Sequence, residues 1–110
     1  MRNVIAVVGP TASGKTTLAL ELAIRLDSEI VSADSMQVYR GMEIGTAAPT
    51  HEEQSIARHH FVSILDPGAD FSAGMFQRMA REVVENLNAR GKVAVVAGGA
   101  GLYVRALIEG

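Results

Sequence analysis

Eight consecutive residues near the start of the sequence have the types and spacing of a phosphate-binding loop. They fill the pattern Gly-x-x-x-x-Gly-Lys-[Ser/Thr] and are Gly9, Pro10, Thr11, Ala12, Ser13, Gly14, Lys15 and Thr16. In such a loop the backbone N–H groups and the positive end of the following helix dipole face phosphate oxygens. Lys15 would reach a terminal phosphate, and the Thr16 hydroxyl would bind Mg²⁺ as the cofactor. The alternative is a glycine-rich turn that binds nothing, and the motif does not say whose phosphates are held.

Asp34 is the carboxylate best placed to act with this loop, because it directly follows a predicted strand at residues 29–33. A carboxylate there can bind Mg²⁺ through water, accept a proton from a nucleophile, or cap the next turn. Nucleotide hydrolases place an aspartate after another buried strand to position water. Here that strand, residues 93–97, is followed by Gly98 and Gly99. The missing acid favours a transferase. In such an enzyme diphosphate is the leaving group of the substrate, or a phosphate is passed on to an acceptor.

The elements that must position these residues alternate between strands and helices. Apolar stretches predict strands at residues 3–8, 29–33, 60–65 and 93–97. Helices are predicted at 15–26, near 51–57, along the apolar stripe Phe76–Leu87, and at 102–109. Thr50 with Glu53 forms a capping-box pattern before the second helix, and Gly91 is the predicted C′ residue of the third.

Strands that are apolar throughout are typical of a parallel sheet covered by helices on both faces. We therefore predict an α/β fold, a P-loop NTPase-like parallel sheet flanked by helices, as a single domain over residues 1–110. Ligands of such sheets bind beyond the carboxyl ends of the strands. The phosphate loop, Asp34 and residues 98–100 should then share one edge. With so few strands, we expect a truncated form of this architecture.

The composition is that of an ordinary globular protein, with 48% apolar and 20% charged residues among 110. The absence of cysteine excludes disulfides and thiolate metal sites, and it fits a reducing cytoplasm. No apolar run is long enough to span a membrane, so we expect no membrane partner. A net charge of −2 gives no basic field for gripping nucleic acid.

His59 and His60 invite a metal interpretation, but adjacent side chains in a strand point to opposite faces. The pair therefore cannot chelate one ion. We expect instead that one of the two histidines faces the carboxyl edge of the sheet.

The stretch Asp34–Ala47, with the sequence DSMQVYRGMEIGTA, makes a resemblance specific. Together with the phosphate loop it resembles the tRNA dimethylallyltransferases (tRNA isopentenyltransferases). His59-His60, the helix start at Phe71-Ser72, and Gly98–Tyr103 continue the likeness in order, so that it covers nearly the whole chain. The chain is similar to the N-terminal part of these enzymes.

The resemblance implies transfer of a dimethylallyl group from dimethylallyl diphosphate to N6 of the adenosine 3′ of the anticodon in tRNA. Residues Gly9–Thr16 would bind the diphosphate, with Mg²⁺ on Thr16. Lys15, Thr16 and Asp34 would be catalytic, with Asp34 taking the proton of the attacking amine. Residues that would contact the tRNA anticodon stem-loop are Asp34, Ser35, Met36, Gln37 and Ala100. A monomer is expected.

Two departures from the family pattern qualify this expectation. Ala100 stands where the family has threonine, and the sequence stops before later family segments that hold another diphosphate-binding arginine and the tRNA-gripping helices. We expect this chain alone to be weakly active or inactive. An adenylate isopentenyltransferase or a small-metabolite kinase is one alternative, and a diphosphate-binding pseudoenzyme is another.

Overall fold

The computed structural model describes residues 3–8, 15–33, 50–62, 64–66, 68–98 and 107. Strands in this part of the chain are β1 (Val4–Val8), β2 (Ile30–Ser32), β3 (His59–His60) and β4 (Ala94–Gly98). Helices are α1 (Lys15–Arg25), α2 (His51–Ile56) and α3 (Ala73–Ala89). The predicted helix at 102–109 lies outside the described residues except for Leu107, which is buried.

The four described strands form one parallel sheet in the order β1-β4-β2-β3. The predicted parallel α/β architecture is confirmed. The chain leaves β1 through α1, and β4, the last of these strands, inserts between β1 and β2. The central strand β4 has no exposed residue, and Ala94, Val95 and Val96 are fully buried. This explains why its sequence is apolar throughout rather than alternating.

Each face of the sheet carries its own apolar core. On one face Ala19 and Ala23 of α1 pack with Val7, Ile30 and Val95. On the other face α3 inserts a stripe of four completely buried side chains, Phe76, Ala80, Val84 and Leu87. The stripe follows the i, i+4, i+8, i+11 spacing of a helix that is buried along one side. The prediction of α3 from that stripe is confirmed.

The helix ends follow the predicted capping chemistry. Thr50 Oγ1 accepts from the Glu53 N–H at 3.1 Å, and a Glu53 carboxylate oxygen accepts from the Thr50 N–H at 2.8 Å. At the end of α3, Gly91 has φ of 76°, and the N–H of Lys92 donates to the carbonyl of Leu87 at 2.8 Å. Both the capping box and the C′ glycine are confirmed.

The end of α1 repeats the C′ arrangement with a residue that the sequence did not single out. Asp27 has φ of 50°, and the N–H of Ser28 donates to the carbonyl of Ala23 at 2.9 Å. Asp27 therefore occupies the left-handed position that glycine usually fills.

The strand predicted at residues 60–65 is wrong in its extent, because β3 ends at His60. Phe61 has φ of 67°, which turns the chain out of the extended conformation. This turn places the Phe61 ring 5.5 Å from the Phe76 ring, in an edge-to-face arrangement. Aromatic packing has overridden the local strand preference.

No helix in the described part of the chain is long and apolar enough to cross a membrane.

Candidate functional site

The carboxyl ends of three strands meet at one edge of the sheet. Val8 of β1 is the Cα partner of Gly98 in β4, and Ser32 of β2 is the partner of Ala97. The N–H of Ala33 donates to the carbonyl of Ala97 at 2.8 Å, which extends this contact one residue beyond β2. The segments that begin at residues 9, 34 and 99 therefore all start from the same edge. This is the edge at which ligands of parallel α/β sheets bind.

Most of the predicted site residues lie outside the described residues. These are Gly9–Gly14 of the phosphate loop, the stretch Asp34–Gln37, and Ala100. Lys15 and Thr16 are the first two residues of α1, and only their backbone is described. What the structure brings together are the residues that flank the predicted site, namely Val8, Ala33 and Gly98.

Helix α1 is suited to bind an anion at its start. It has eleven residues and no acidic side chain in its own first turn, where a carboxylate would oppose the positive end of its dipole. Ala19 and Ala23 face the sheet with 1% and 0% of their surface exposed. These small side chains let the helix lie close to β4 and β1. The helix start is thereby fixed next to the ends of those two strands.

A charged cluster lies at the other end of β2 and was not predicted. One oxygen of the Glu29 carboxylate is 2.7 Å from His60 Nε2, and the other is 3.3 Å from Arg90 Nη2. Burial raises the pKa of the Glu29 carboxyl, but the hydrogen bonds from His60 and Arg90 outweigh it, and the pKa lies below its ordinary value. The cluster ties the start of β2 to β3 and to the end of α3.

The expectation that one histidine faces the carboxyl edge is wrong for His60, whose ring is held by Glu29 at the amino end of β2. His59 Nδ1 lies 2.8 Å from the carbonyl oxygen of Ala57. Burial lowers the pKa of His59, and the Ala57 carbonyl opposes this in part. Each imidazole ring thus has a hydrogen-bond partner within the fold, Ala57 for His59 and Glu29 for His60. Among the described residues there is no group of three or more side chains that could hold a metal ion.

Ser28 is a further polar residue with a structural role, since its Oγ donates to the carbonyl of Val93 at 2.6 Å. It is buried, with 7% of its surface exposed. No local pattern reveals this bond or the Glu29 cluster, because their partners are 31 to 65 residues away in the sequence.

Comparison with known proteins decides the family. A family model described as IPP transferase matches residues 37–110, which is two thirds of the chain. The chain belongs to the IPP transferase family. The match includes β4 and α3, and it starts within the stretch Asp34–Ala47 on which the resemblance was based.

Relatives in this family are similar over nearly the whole chain. A tRNA dimethylallyltransferase of Anaeromyxobacter sp. (strain K) is 53% identical over 108 residues, which are 98% of this chain and 35% of the relative. A tRNA dimethylallyltransferase of Staphylococcus aureus (strain JH9) is 51% identical over 105 residues, 96% of this chain and 34% of the relative. This IPP transferase chain therefore spans about a third of the length of the curated relatives it matches.

Solved structures agree with the fold. The full-length tRNA isopentenylpyrophosphate transferase of Bacillus halodurans superposes with a TM-score of 0.91 at 47% identity, over 99% of this chain and 36% of its own. A eukaryotic dimethylallyltransferase described as acting on tRNA gives a TM-score of 0.88 at 30% identity, over 97% of this chain and 27% of its own. The described sheet and helices thus have the P-loop-like fold of tRNA isopentenyltransferases.

Proposed function

We propose that this IPP transferase chain holds the diphosphate-binding and proton-accepting part of a tRNA dimethylallyltransferase. The enzyme would move a dimethylallyl group from dimethylallyl diphosphate to N6 of the adenosine 3′ of the anticodon. The observation that carries the proposal is the shared edge of β1, β4 and β2. The phosphate loop starts from the first of these strands, and Asp34 follows the last.

Two parts of this edge would take part in the reaction, the phosphate loop after β1 and Asp34 after β2. N6 of the adenosine attacks C1 of the dimethylallyl group, the bond from C1 to the diphosphate oxygen breaks, and diphosphate leaves with the bonding electrons. Asp34 accepts the proton from N6. General-base assistance of this kind typically contributes a factor of about 10² to 10⁴ in rate. Preorganised donors that stabilise the leaving diphosphate contribute as much or more.

The start of α1 would supply those donors through its backbone N–H groups and the Lys15 ammonium. The absence of acidic residues in its first turn keeps this end positive. An oxygen-rich set made of the Thr16 hydroxyl, diphosphate oxygens and water matches the ligand preference of Mg²⁺. When bound there, Mg²⁺ would neutralise part of the charge that builds up on the leaving group.

The position of β4 argues for transfer rather than hydrolysis. This strand lies between β1 and β2, so its carboxyl end lies between the ends of the strands that lead into the phosphate loop and into Asp34. It ends in Ala97 and Gly98, with Gly99 next in the sequence. Neither Gly98 nor Gly99 carries the carboxylate that nucleotide hydrolases place after such a strand to position an attacking water. A small residue here leaves space for the acceptor.

Mass spectrometry of an anticodon stem-loop after incubation with the chain and dimethylallyl diphosphate tests the proposal. We expect slow formation of a prenylated product, which Asp34→Asn slows by a factor of about 10² to 10⁴ without weakening binding of the diphosphate. Lys15→Ala should weaken that binding, and Glu85→Gln, on the exposed side of α3, should change neither. Prenylation of AMP in preference to the stem-loop would instead show an adenylate isopentenyltransferase. Phosphoryl transfer from ATP would show a kinase. Diphosphate binding without product would show a pseudoenzyme if it persists when the later family segments are supplied together with the chain.

A further inference from the structure

A cleft of about 420 Å³ lies between the edge strand β3 and helix α3, and the proposed reaction does not use it. Its volume falls within the range of pockets that hold small molecules in proteins. It is not at the carboxyl edge of the sheet, because Glu29, one of its lining residues, precedes β2. The side chains that line it are Glu29, Arg58, His60, Phe61, Met79, Glu82, Val83, Asn86 and Arg90.

Two opposite charges on different walls of the cleft have no partner among the described residues. The side chains of Arg58, which directly precedes β3, and of Glu82, on α3, form no hydrogen bond or ion pair within that part of the chain. The other charged side chains of the cleft already form hydrogen bonds. Glu29 binds His60 and Arg90, and Arg90 Nε also donates to Asn86 at 3.0 Å. Among the described residues, the cleft therefore offers one cationic and one anionic side chain without a partner, Arg58 and Glu82.

The remaining surface of the cleft is apolar. Phe61 and Val83 belong to the core beneath it, and Met79 is 41% exposed, which makes it one of the few large apolar side chains open to solvent. Phe61 also has φ of 67°, a conformation that is costly for an aromatic residue. Such strain persists where the surroundings enforce it, and it is found preferentially at binding sites.

We propose that this cleft binds a small zwitterionic molecule, with its carboxylate on Arg58, its ammonium on Glu82 and an apolar spacer over Met79. A simple anion is a poorer match because Glu82 and Glu29 would face it, and a simple cation is a poorer match because Arg58 and Arg90 would. An uncharged apolar ligand would leave both free charges without a partner. A dipolar ligand pairs with the charged side chain on each wall.

The test uses 6-aminohexanoate as the probe, with hexanoate and hexylamine as matched controls that each lack one charge. Binding is followed by the NMR shifts of the Met79 methyl group and the backbone amides of α3 in the 110-residue chain. We expect saturable binding of 6-aminohexanoate with a Kd no tighter than about 1 mM, because the two ion pairs are exposed and there is one apolar contact. Each control should bind at least about threefold more weakly, and shortening the probe to 4-aminobutanoate should show which charge separation fits.

Substitutions then assign the two charges. Arg58→Gln should remove the advantage of 6-aminohexanoate over hexylamine, and Glu82→Gln should remove its advantage over hexanoate. Arg78→Gln and Glu85→Gln, exposed changes of the same kind on α3 outside the cleft lining, should leave binding unchanged. Circular dichroism melts show that each variant remains folded. The proposal is wrong if the probe does not saturate, if the controls bind equally well, or if the outside variants weaken binding as much as the cleft variants.

Discussion

The Glu29 cluster makes a sharp prediction about stability, which Glu29→Gln tests with almost no change of side-chain volume. Glutamine can still accept from His60 with its amide oxygen, so what is lost is the charge. Hydrogen bonds to a charged group stabilise by about 1.5–3 kcal/mol and neutral ones by about 0.5–1.5 kcal/mol. The well-formed 2.7 Å contact with His60 should therefore lose about 1 kcal/mol.

The contact between Glu29 and Arg90 contributes less to the free energy of unfolding. Arg90 lies 3.3 Å from Glu29, and 44% of its side chain is exposed, so solvent screens the pair. We assign it about 0.5 kcal/mol, within the range of exposed ion pairs. Glu29→Gln should thus lower the free energy of unfolding by about 1.5 kcal/mol at neutral pH. Urea denaturation followed by circular dichroism measures this, with Glu85→Gln as the control, which should stay within about 0.5 kcal/mol of the parent.

The dependence on pH separates the charge from a packing effect. The pKa of Glu29 is lower in the folded chain than its ordinary value of 4.5. The carboxylate therefore stabilises the fold fully above pH 4.5, and this contribution disappears as the pH falls through the lower folded pKa. The difference between parent and Glu29→Gln should close over that acidic window. A difference that persists at the acid end, or one no larger than that of the control at neutral pH, would refute the reasoning.

Three further predictions follow from single residues. Asp27→Gly should raise the free energy of unfolding by about 0.5–1 kcal/mol, because glycine adopts the left-handed conformation at the end of α1 without steric cost; Asp27→Ala, measured in the same urea titration, should not. Phe76→Ala should lower it by about 3–5 kcal/mol, since the ring is completely buried, whereas the partly exposed Phe71→Ala should cost less. Ala100→Thr should raise prenyl transfer by about one to two powers of ten if the missing hydroxyl bonds a charged group of the substrate; an unchanged rate in the stem-loop assay would favour a pseudoenzyme.

Much of the fold follows from the sequence because the signals are local. The stripe from Phe76 to Leu87 predicts α3, and the apolar run at residues 93–97 predicts a buried strand, because burial on one side or on both sides leaves a regular pattern. Thr50 and Gly91 predict helix ends because capping hydrogen bonds and a left-handed residue act within a few residues of the helix end. The chemistry of Asp34 and of the phosphate loop stays a prediction, since those residues lie outside the described part of the chain.

What the sequence does not reveal depends on contacts between distant residues. The early end of β3 depends on Phe76, which draws the Phe61 ring into the core. The insertion of β4 between β1 and β2 depends on pairings such as Val4 with Ala94 and Ile30 with Val95, which are 90 and 65 residues apart in the sequence. Asp27 at a position that glycine usually fills has no sequence signal, because aspartate is common in turns for other reasons.

The amino end of β2 stabilises the fold, whereas its carboxyl end leads into the proposed site. The amino end is held by Glu29, His60 and Arg90, which join the strand to β3 and α3. The carboxyl end leads into Asp34, at an edge where the proposed chemistry requires free backbone and a reactive carboxylate. Because contacts at its amino end hold β2 in place, its carboxyl end does not need stabilising side-chain contacts of its own. Substitutions at Glu29 should therefore act on the free energy of unfolding, and those at Asp34 on transfer, with little exchange between the two.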